Sequence, residues 1–186
     1  MTGVTDAELV AETLAGDRAA FEVLARRHFR AVFAIALSYM RDADEAEDVC
    51  QEVLVRAWDR LGQCREPSRF GSWIVRITRN QSIKRRAWLA VRRAAGLEEA
   101  VSRPARDTPD DVLRRSGLRA VLREALGRIR PRQREVVLLH DLEGYTHAEI
   151  AERLGISELM SRRHLSDARA ALRRLLESGA DSGREA

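Results

Sequence analysis

The residues best suited to recognition chemistry are arginines close to the start of the last predicted helix. Arg162 and Arg163 follow a predicted cap at Ser157, and Ser166 lies one turn further on. Guanidinium groups on the N-terminal turns of a helix can bond guanine edges or backbone phosphates in a major groove. This segment therefore predicts a contact with nucleic acid.

The elements that would position these arginines have the order of a helix-turn-helix. Thr146 and Glu149 form a capping box that opens a short helix, Gly155 ends that helix, and Ser157 caps the next one. A capped helix, a tight glycine turn and a second capped helix are typical of a groove-reading unit. The alternative is a plain helical hairpin with a solvated cationic face, and the turn favours the first interpretation.

Charge is segregated by sign in the N-terminal half. Acids without any cation occupy one stretch, at Asp42, Asp44, Glu45, Glu47, Asp48 and Glu52. Cations without any acid occupy the next, at Arg76, Arg79, Lys84, Arg85, Arg86, Arg92 and Arg93. One small domain would thus carry an anionic and a cationic surface, which indicates two partners of opposite charge. A merely solvated acidic face is the alternative for the first stretch.

Apolar spacing across the 186 residues predicts an all-α protein of two small helical domains joined by a flexible linker. Residues 1–93 form the first domain, in which Ser68 is expected to cap the fourth helix. Residues 94–116 lose the apolar period and form the linker, residues 117–177 form the second domain, and residues 178–186 form a disordered tail. The third helix carries its apolar stripe at Ala46, Val49, Cys50, Val53, Leu54, Ala57, Trp58 and Leu61.

No constellation suited to catalysis stands out in the sequence. A glycine-rich phosphate loop and a GxSxG motif are both missing, and the four histidines lack paired metal-ligand spacing. Cys50 is expected to fill the core and His28 to lie on a helix face. We expect no enzyme activity, cofactor, bound metal or small-molecule substrate. Because no signal-peptide core or long apolar run occurs, we expect a cytoplasmic protein without membrane insertion.

Several segments resemble bacterial sigma factors of the extracytoplasmic-function (ECF) group, whose members keep two domains. In the C-terminal half these are RPRQREVVLL at 130–139, LEGYT at 142–146 and EIAERLGIS at 149–157. In the N-terminal half they are DEAEDVCQEV at 44–53 and FGSWIVRITRN at 70–80. The resemblance implies sigma domain 2 at 1–93 and sigma domain 4 at 117–177. An alternative sigma factor is therefore expected, with core RNA polymerase and promoter DNA as partners.

The resemblance also implies three sets of contact residues. Core polymerase would be bound by Asp48, Gln51, Glu52 and Arg56. The minus-ten element would be met by Ser72, Arg76, Asn80 and Lys84, which share one line of the fourth helix while Trp73 and Ile77 face inward. The loop before that helix would help to hold a flipped base. The minus-thirty-five element would be met by Arg162, Arg163 and Ser166.

Family members are commonly held inactive by an anti-sigma factor, which the resemblance adds as an expected partner. The chain departs from its relatives in having Leu159-Met160-Ser161 where Gly-Thr-Val is usual, Asp167 where arginine is common, and Lys84 in place of a frequent aspartate. The rival interpretation is a stand-alone helix-turn-helix regulator. It would explain the C-terminal half, but not the acidic helix followed by a cationic one.

Overall fold

The computed structural model describes residues 4–40, 42–95, 121–122 and 124–182. Every regular element in these ranges is helical, which confirms the all-α prediction. The helices are α1 (Asp6–Leu14), α2 (Arg18–Met40), α3 (Ala43–Asp59), α4 (Phe70–Ala94), α5 (helical residues 121–122 and 124–128), α6 (Pro131–Val137), α7 (His147–Leu154) and α8 (Glu158–Ser182). Two 3-10 turns, Leu61–Gln63 and Pro67–Arg69, join α3 to α4, and a π-helical turn, Leu138–Leu142, extends α6.

The predicted domain limits are only partly covered by the described residues. Most of the predicted linker, 94–116, lies outside them, as does the end of the predicted tail. Helix α8 runs to Ser182 and so enters the segment 178–186 that the sequence assigns to a disordered tail. None of the helices in the described part of the chain combines enough length with enough apolar character to cross a bilayer.

Side-chain caps set most of the helix starts. The Thr5 hydroxyl accepts the Glu8 amide at 3.2 Å, and the Glu8 carboxylate accepts the Thr5 amide at 2.7 Å. Thr146 and Glu149 repeat this capping box at α7, and Asp42 caps α3. The prediction of a cap at Ser68 is wrong. Helix α4 begins at Phe70, because the 3-10 turn Pro67–Arg69 delivers the chain into it without a side-chain cap.

The N-terminal body, α1 to α4, surrounds one apolar core. Its fully covered side chains include Leu24, Val32, Val49, Val53, Phe70 and Ile74. Trp73 is 9% exposed and belongs to this core, as the sequence predicts. Cys50 is buried there as a free thiol, and burial, with the charge of Glu47 second, raises its pKa to about 12. A protonated, covered thiol behaves as a small apolar side chain, in agreement with the predicted core role.

His28 is part of this body in a way the sequence does not predict. It is 3% exposed instead of lying on an open helix face, and its Nε2 is 2.7 Å from Asp6 Oδ2. Its ring also packs against α4 at Gly71, where an added Cβ would stand 3.0 Å from His28 Cε1. Gly71 therefore allows α2 and α4 to approach closely.

The C-terminal body, α5 to α8, packs against the N-terminal body. A second apolar cluster joins Ala31, Ala34, Ile35, Tyr39 and Val75 to Ile129, Val136, Val137, Leu138, Leu139, Ile150, Leu154, Leu165 and Ala168. Helices α2 and α4 meet α6, α7 and the π-helical turn across this contact. Apolar periodicity predicts both bodies, but it gives no sign that they share a core.

Candidate nucleic-acid and partner-binding surfaces

The outer face of α3 presents the residues predicted to bind polymerase. Gln51, Glu52 and Arg56 line one groove of about 520 Å³, together with Val55, Asp59 and Arg60. Asp48 lies one turn earlier, with 59% of its side chain exposed. The four predicted residues are thus brought together on one open side of a single rigid helix.

Two exposed apolar side chains on α3 add to this face. Val55 is 61% exposed and Trp58 is 39% exposed, although the sequence places Trp58 on the buried stripe. Trp58 meets Phe21 edge-on, with ring centroids 5.1 Å apart, so only part of the indole is covered. Tryptophan is enriched at the centres of protein interfaces. This face therefore has the composition of a protein-docking surface.

The acidic and cationic stretches are less separate than their sequence suggests. Arg85 on α4 reaches Glu45 at 3.0 Å and both Asp48 and Glu52 at 3.4 Å. Gln81 also donates to Glu52 at 2.7 Å. Part of the charge of each stretch is used to join α3 to α4, and the remainder faces outward.

The predicted minus-ten line on α4 is mostly open. Arg76, Asn80 and Lys84 are exposed, while Ile77 packs against the N-terminal core. Ser72 differs from the other three because its hydroxyl donates to the carbonyl oxygen of Glu152 on α7, at 2.7 Å. The C-terminal body therefore contacts the start of this line.

A cationic cleft opens beside the line. It has a volume of about 910 Å³ and lies between the residue 62–69 loop, α4 and α7. Its walls include arginines at positions 65, 69, 76, 79 and 153. Glu66 and Glu152 also line the cleft, so its arginines outnumber its acids. The loop at its edge is the one that the resemblance expects to help hold a flipped base.

The helix-turn-helix is formed by α7 and α8. Gly155 ends α7 with φ 64°, a left-handed conformation that glycine adopts without strain, and the Ser157 hydroxyl accepts the Met160 amide at 3.2 Å. Arg162, Arg163 and Ser166 are exposed on the N-terminal half of α8. The predicted contact residues thus share an open surface.

The departure at Ser161 has a structural explanation. Ser161 is fully buried, and its hydroxyl is 2.9 Å from Nδ1 of His147. His147 in turn stacks on His140, with ring centroids 4.8 Å apart, and desolvation followed by the charge of His140 lowers its pKa. The buried hydroxyl has a partner, so a serine is accommodated at this buried position.

Comparison with known proteins identifies the family. The sigma-70 region 2 model matches residues 24–93, and the sigma-70 region 4 model matches residues 119–172. The ECF RNA polymerase sigma factor SigM of Mycobacterium tuberculosis (strain ATCC 25618 / H37Rv) is 33% identical over 172 residues, covering 92% of this chain and 85% of SigM. The chain belongs to the ECF sigma-factor family. It is an alternative sigma factor.

Further relatives of this sigma factor agree in sequence and fold. The ECF sigma factor SigL of Mycobacterium tuberculosis (strain ATCC 35801 / TMC 107 / Erdman) is 31% identical, with 90% of this chain and 95% of SigL covered. CnrH, solved in complex with the cytosolic domain of CnrY, superposes with a TM-score of 0.63 at 26% identity over 93% of this chain and 97% of its own. The sigma factor RpoE, solved with the anti-sigma factor NepR from Bartonella quintana, superposes with a TM-score of 0.57 at 25% identity. The match covers 84% of this chain and 96% of RpoE.

The contact between regions 2 and 4 of this sigma factor contains a buried ionic cluster that the sequence does not predict. Glu135 is 0% exposed and accepts from the Tyr39 hydroxyl at 2.9 Å, from Arg79 at 2.9 and 3.1 Å, and from Arg132 at 2.9 Å. We refer to Tyr39, Arg79, Arg132 and Glu135 as the Glu135 cluster. Burial, followed by the Glu135 carboxylate, raises the pKa of Tyr39 to about 12.

Arg134 makes a second polar link across the same contact. Its guanidinium donates to the carbonyl oxygen of Ser38 in region 2 and, at 3.0 Å, to that of Ile129 in region 4. Arg134 and Glu135 are adjacent within the family-like segment at 130–139. Their position directly before the apolar run at 136–139 is the one sequence signal that could have indicated a polar buried contact.

Proposed function

We propose that this sigma factor joins core RNA polymerase through the outer face of α3 and directs it to promoters by presenting α4 and α8 to two DNA elements. Residues 1–93 would act as the polymerase and minus-ten domain, residues 117–177 as the minus-thirty-five domain, and 94–116 as their linker. The observation that carries the proposal is the placement of all three predicted residue sets on rigid helices, each with exposed polar groups.

For polymerase binding, the support is the mixed character of the α3 face. Asp48, Gln51, Glu52 and Arg56 surround the exposed Val55, and Trp58 lies nearby. Apolar anchors supply binding energy once they are desolvated, whereas rim charges steer association. This combination fits a cationic protein surface with an apolar patch at its centre.

For DNA, the support is the arrangement of cationic and polar groups on α4 and α8. Arg76, Asn80 and Lys84 line the open part of α4 beside the cationic cleft, and Ser72 would join them. The exposed Arg162, Arg163 and Ser166 of α8 suit a major groove, where arginine pairs with guanine. When two weak DNA-binding surfaces are held at a fixed separation, binding of one raises the effective concentration of the other at its own DNA element.

We propose an anti-sigma factor as a further partner. CnrH and RpoE were both solved with a second protein, which for RpoE is the anti-sigma factor NepR. We also propose that this sigma factor works in the cytoplasm, where promoter DNA is, and does not insert into a membrane. A stand-alone helix-turn-helix regulator is not favoured, because residues 24–93 match sigma-70 region 2.

Run-off transcription with purified core enzyme tests the proposal. Core polymerase lacking a specificity subunit should start at discrete sites on genomic DNA when this chain is added. Chain from which residues 117–186 are removed should lose this selectivity, while core enzyme alone gives the background. Absence of discrete starts with the full chain would reject the proposal.

Charge neutralisation tests the α3 face. The double variant Asp48→Asn with Glu52→Gln should weaken core binding about ten-fold, mainly through slower association, since rim charges act on encounter. The matched control is Glu45→Gln, which also removes a partner of Arg85 but lies outside the proposed contact. Surface plasmon resonance with immobilised core would measure both. If both variants lost the same core affinity, the loss would come from the ion pairs that join α3 to α4, and the α3 face would not be the binding surface.

A further inference from the structure

The Glu135 cluster is unusual because its charges come from both regions and are removed from water together. Tyr39 and Arg79 belong to region 2, whereas Arg132 and Glu135 belong to region 4. Glu135 is 0% exposed, and the Arg79 side chain is 20% exposed. A buried carboxylate is tolerated only when donors satisfy it. Two of its three donor side chains, Tyr39 and Arg79, can reach Glu135 only while the regions are in contact.

The same contact occupies part of the proposed promoter surface. Ser72 donates to Glu152 on α7, and Arg79 on α4 is held by Glu135. Both residues lie at the N-terminal half of α4, beside the cationic cleft. In this arrangement the start of the minus-ten line is in contact with region 4 and only partly open to solvent.

We propose that the Glu135 cluster holds the free sigma factor in a closed conformation, and that opening of this contact is required before α4 can engage promoter DNA. The statement about DNA rests on the proposed function, whereas the closed conformation itself does not. The cluster gives the closed form specificity, since the apolar side chains around Ile35, Val75 and Leu139 could slide past one another but the ion pairs fix one register.

The cluster also makes the contact reversible. When the regions separate, water can solvate Glu135, Arg79 and Tyr39, so the open form leaves no charge buried and unpaired. Opening would be driven by polymerase, which would bind the exposed face of α3. The equilibrium therefore shifts by as much as polymerase favours the open form over the closed one.

Small-angle X-ray scattering on the full chain tests the closed conformation. The wild type should have a radius of gyration of about 16 Å, the value for a compact chain of this length. Glu135→Gln should raise it by roughly 3 to 5 Å, as expected for two bodies that no longer pack against each other. Arg79→Gln removes a region 2 donor of the same cluster and should give the same increase. This second variant decides the question if circular dichroism shows that Glu135→Gln loses helix.

A matched control lies at the edge of the same contact. Arg30 pairs with Glu143 at 2.6 Å, but 67% of the Arg30 side chain is exposed. The Glu143 side chain is only 10% exposed, so the control changes the exposed partner: Arg30→Gln keeps a hydrogen-bond donor for Glu143 and should leave the radius of gyration at the wild-type value. A wild type as extended as the variants, or Glu135 and Arg79 variants as compact as the wild type, would overturn the proposal.

The functional part has its own readout. In stopped-flow mixing of the chain and purified core polymerase with labelled promoter DNA, Glu135→Gln should reach the promoter complex about five-fold faster than the wild type, because the contact between the regions no longer has to open first. Unchanged rates with an increased radius of gyration would reject the link between opening and binding. If no form of the chain bound core polymerase, the proposed function would fail, and scattering would still decide the closed conformation.

Discussion

Helices α4 and α8 are both rich in arginine, but the protein uses their charges differently. On α4, Arg79 is held by Glu135 from α6, and Arg85 by three carboxylates of α3. On α8, Arg162 bonds Glu158 one turn earlier on the same helix, and Arg163 is exposed. The acids of neighbouring elements, which sequence alone cannot place, decide whether a cationic helix is a packing element or an open binding surface.

This difference separates stability from recognition. Substitution of a partly buried arginine on α4 should alter the free energy of unfolding, since its carboxylate partner loses a donor inside the protein. Substitution of an exposed arginine on α8 should leave stability nearly unchanged and act on DNA affinity. Under the proposed function, the arginines of α4 serve both packing and recognition, whereas the exposed arginines of α8 serve recognition.

The largest expected effect is on α4. Arg79→Ala removes two of the four hydrogen bonds to Glu135. We expect a loss of about 3 kcal/mol in the free energy of unfolding, at the lower end for a broken buried pair because Tyr39 and Arg132 remain. Urea unfolding followed by circular dichroism measures it. Arg86→Ala, an exposed neighbour on the same helix, should change it by less than about 0.5 kcal/mol; equal losses would contradict the comparison.

On α8, the double variant Arg162→Ala with Arg163→Ala should weaken holoenzyme binding to promoter DNA by about 100-fold, through lost base and phosphate contacts. The salt dependence of log K should become shallower by up to about two charges. Fluorescence anisotropy over a salt series gives both values, and Arg173→Ala, further along α8, serves as the control. Core binding that fell more than promoter binding would reject the recognition role of this helix.

The next effect concerns the inner side of α4, where Gly71 faces His28. Gly71→Ala places a methyl group 3.0 Å from the His28 ring, which is buried and bonded to Asp6. We expect a loss of about 2 kcal/mol, as for other overpacked sites, measured by thermal unfolding. An added Cβ at Gly62 meets no atom within 4 Å, so Gly62→Ala should leave the melting temperature nearly unchanged. A tolerated Gly71→Ala would mean that α2 and α4 can separate slightly without cost.

Local signals in the sequence predict a large part of the fold. Capping boxes at Thr5 and Thr146, the glycine turn at Gly155 and the apolar stripe of α3 each depend on residues within one or two turns. Each is confirmed, except at Trp58 on the stripe. The cap at Ser68 is wrong, because a proline-initiated 3-10 turn competes for the same residues. Local chemistry is predictable where a single motif is present, and less so where two overlap.

Contacts between distant segments were not predictable in the same way. The pairing of Glu135 with Tyr39 and Arg79 joins residues 96 and 56 positions apart. Periodicity shows which face of a helix is apolar, but not which other helix covers it, and a carboxylate that is buried at a domain contact resembles an exposed one in sequence. Trp58 shows the reverse error, since a position on the apolar stripe is left 39% exposed at the edge of the core.

The smallest expected effect lies between α7 and α8, where the polar pair His147 and Ser161 joins the two helices. Ser161→Ala removes the hydroxyl that meets His147 and should cost about 1 kcal/mol, the usual net value of one hydrogen bond. The same change in a His147→Ala background should cost less, and the difference in a double-mutant cycle of urea unfolding measures the coupling.

The pH dependence of this coupling sharpens the test. Because desolvation, followed by the charge of His140, lowers the pKa of His147 below its usual 6.5, the folded protein favours the neutral ring. The stability it contributes should be fully present above pH 6.5 and should decrease as the pH falls below that value. Ser166→Ala, an exposed serine on the same helix, should show neither the cost nor the pH dependence. A coupling of zero at neutral pH would mean that the α7–α8 turn is held by Gly155 and apolar packing alone, and that the serine at 161 is merely tolerated.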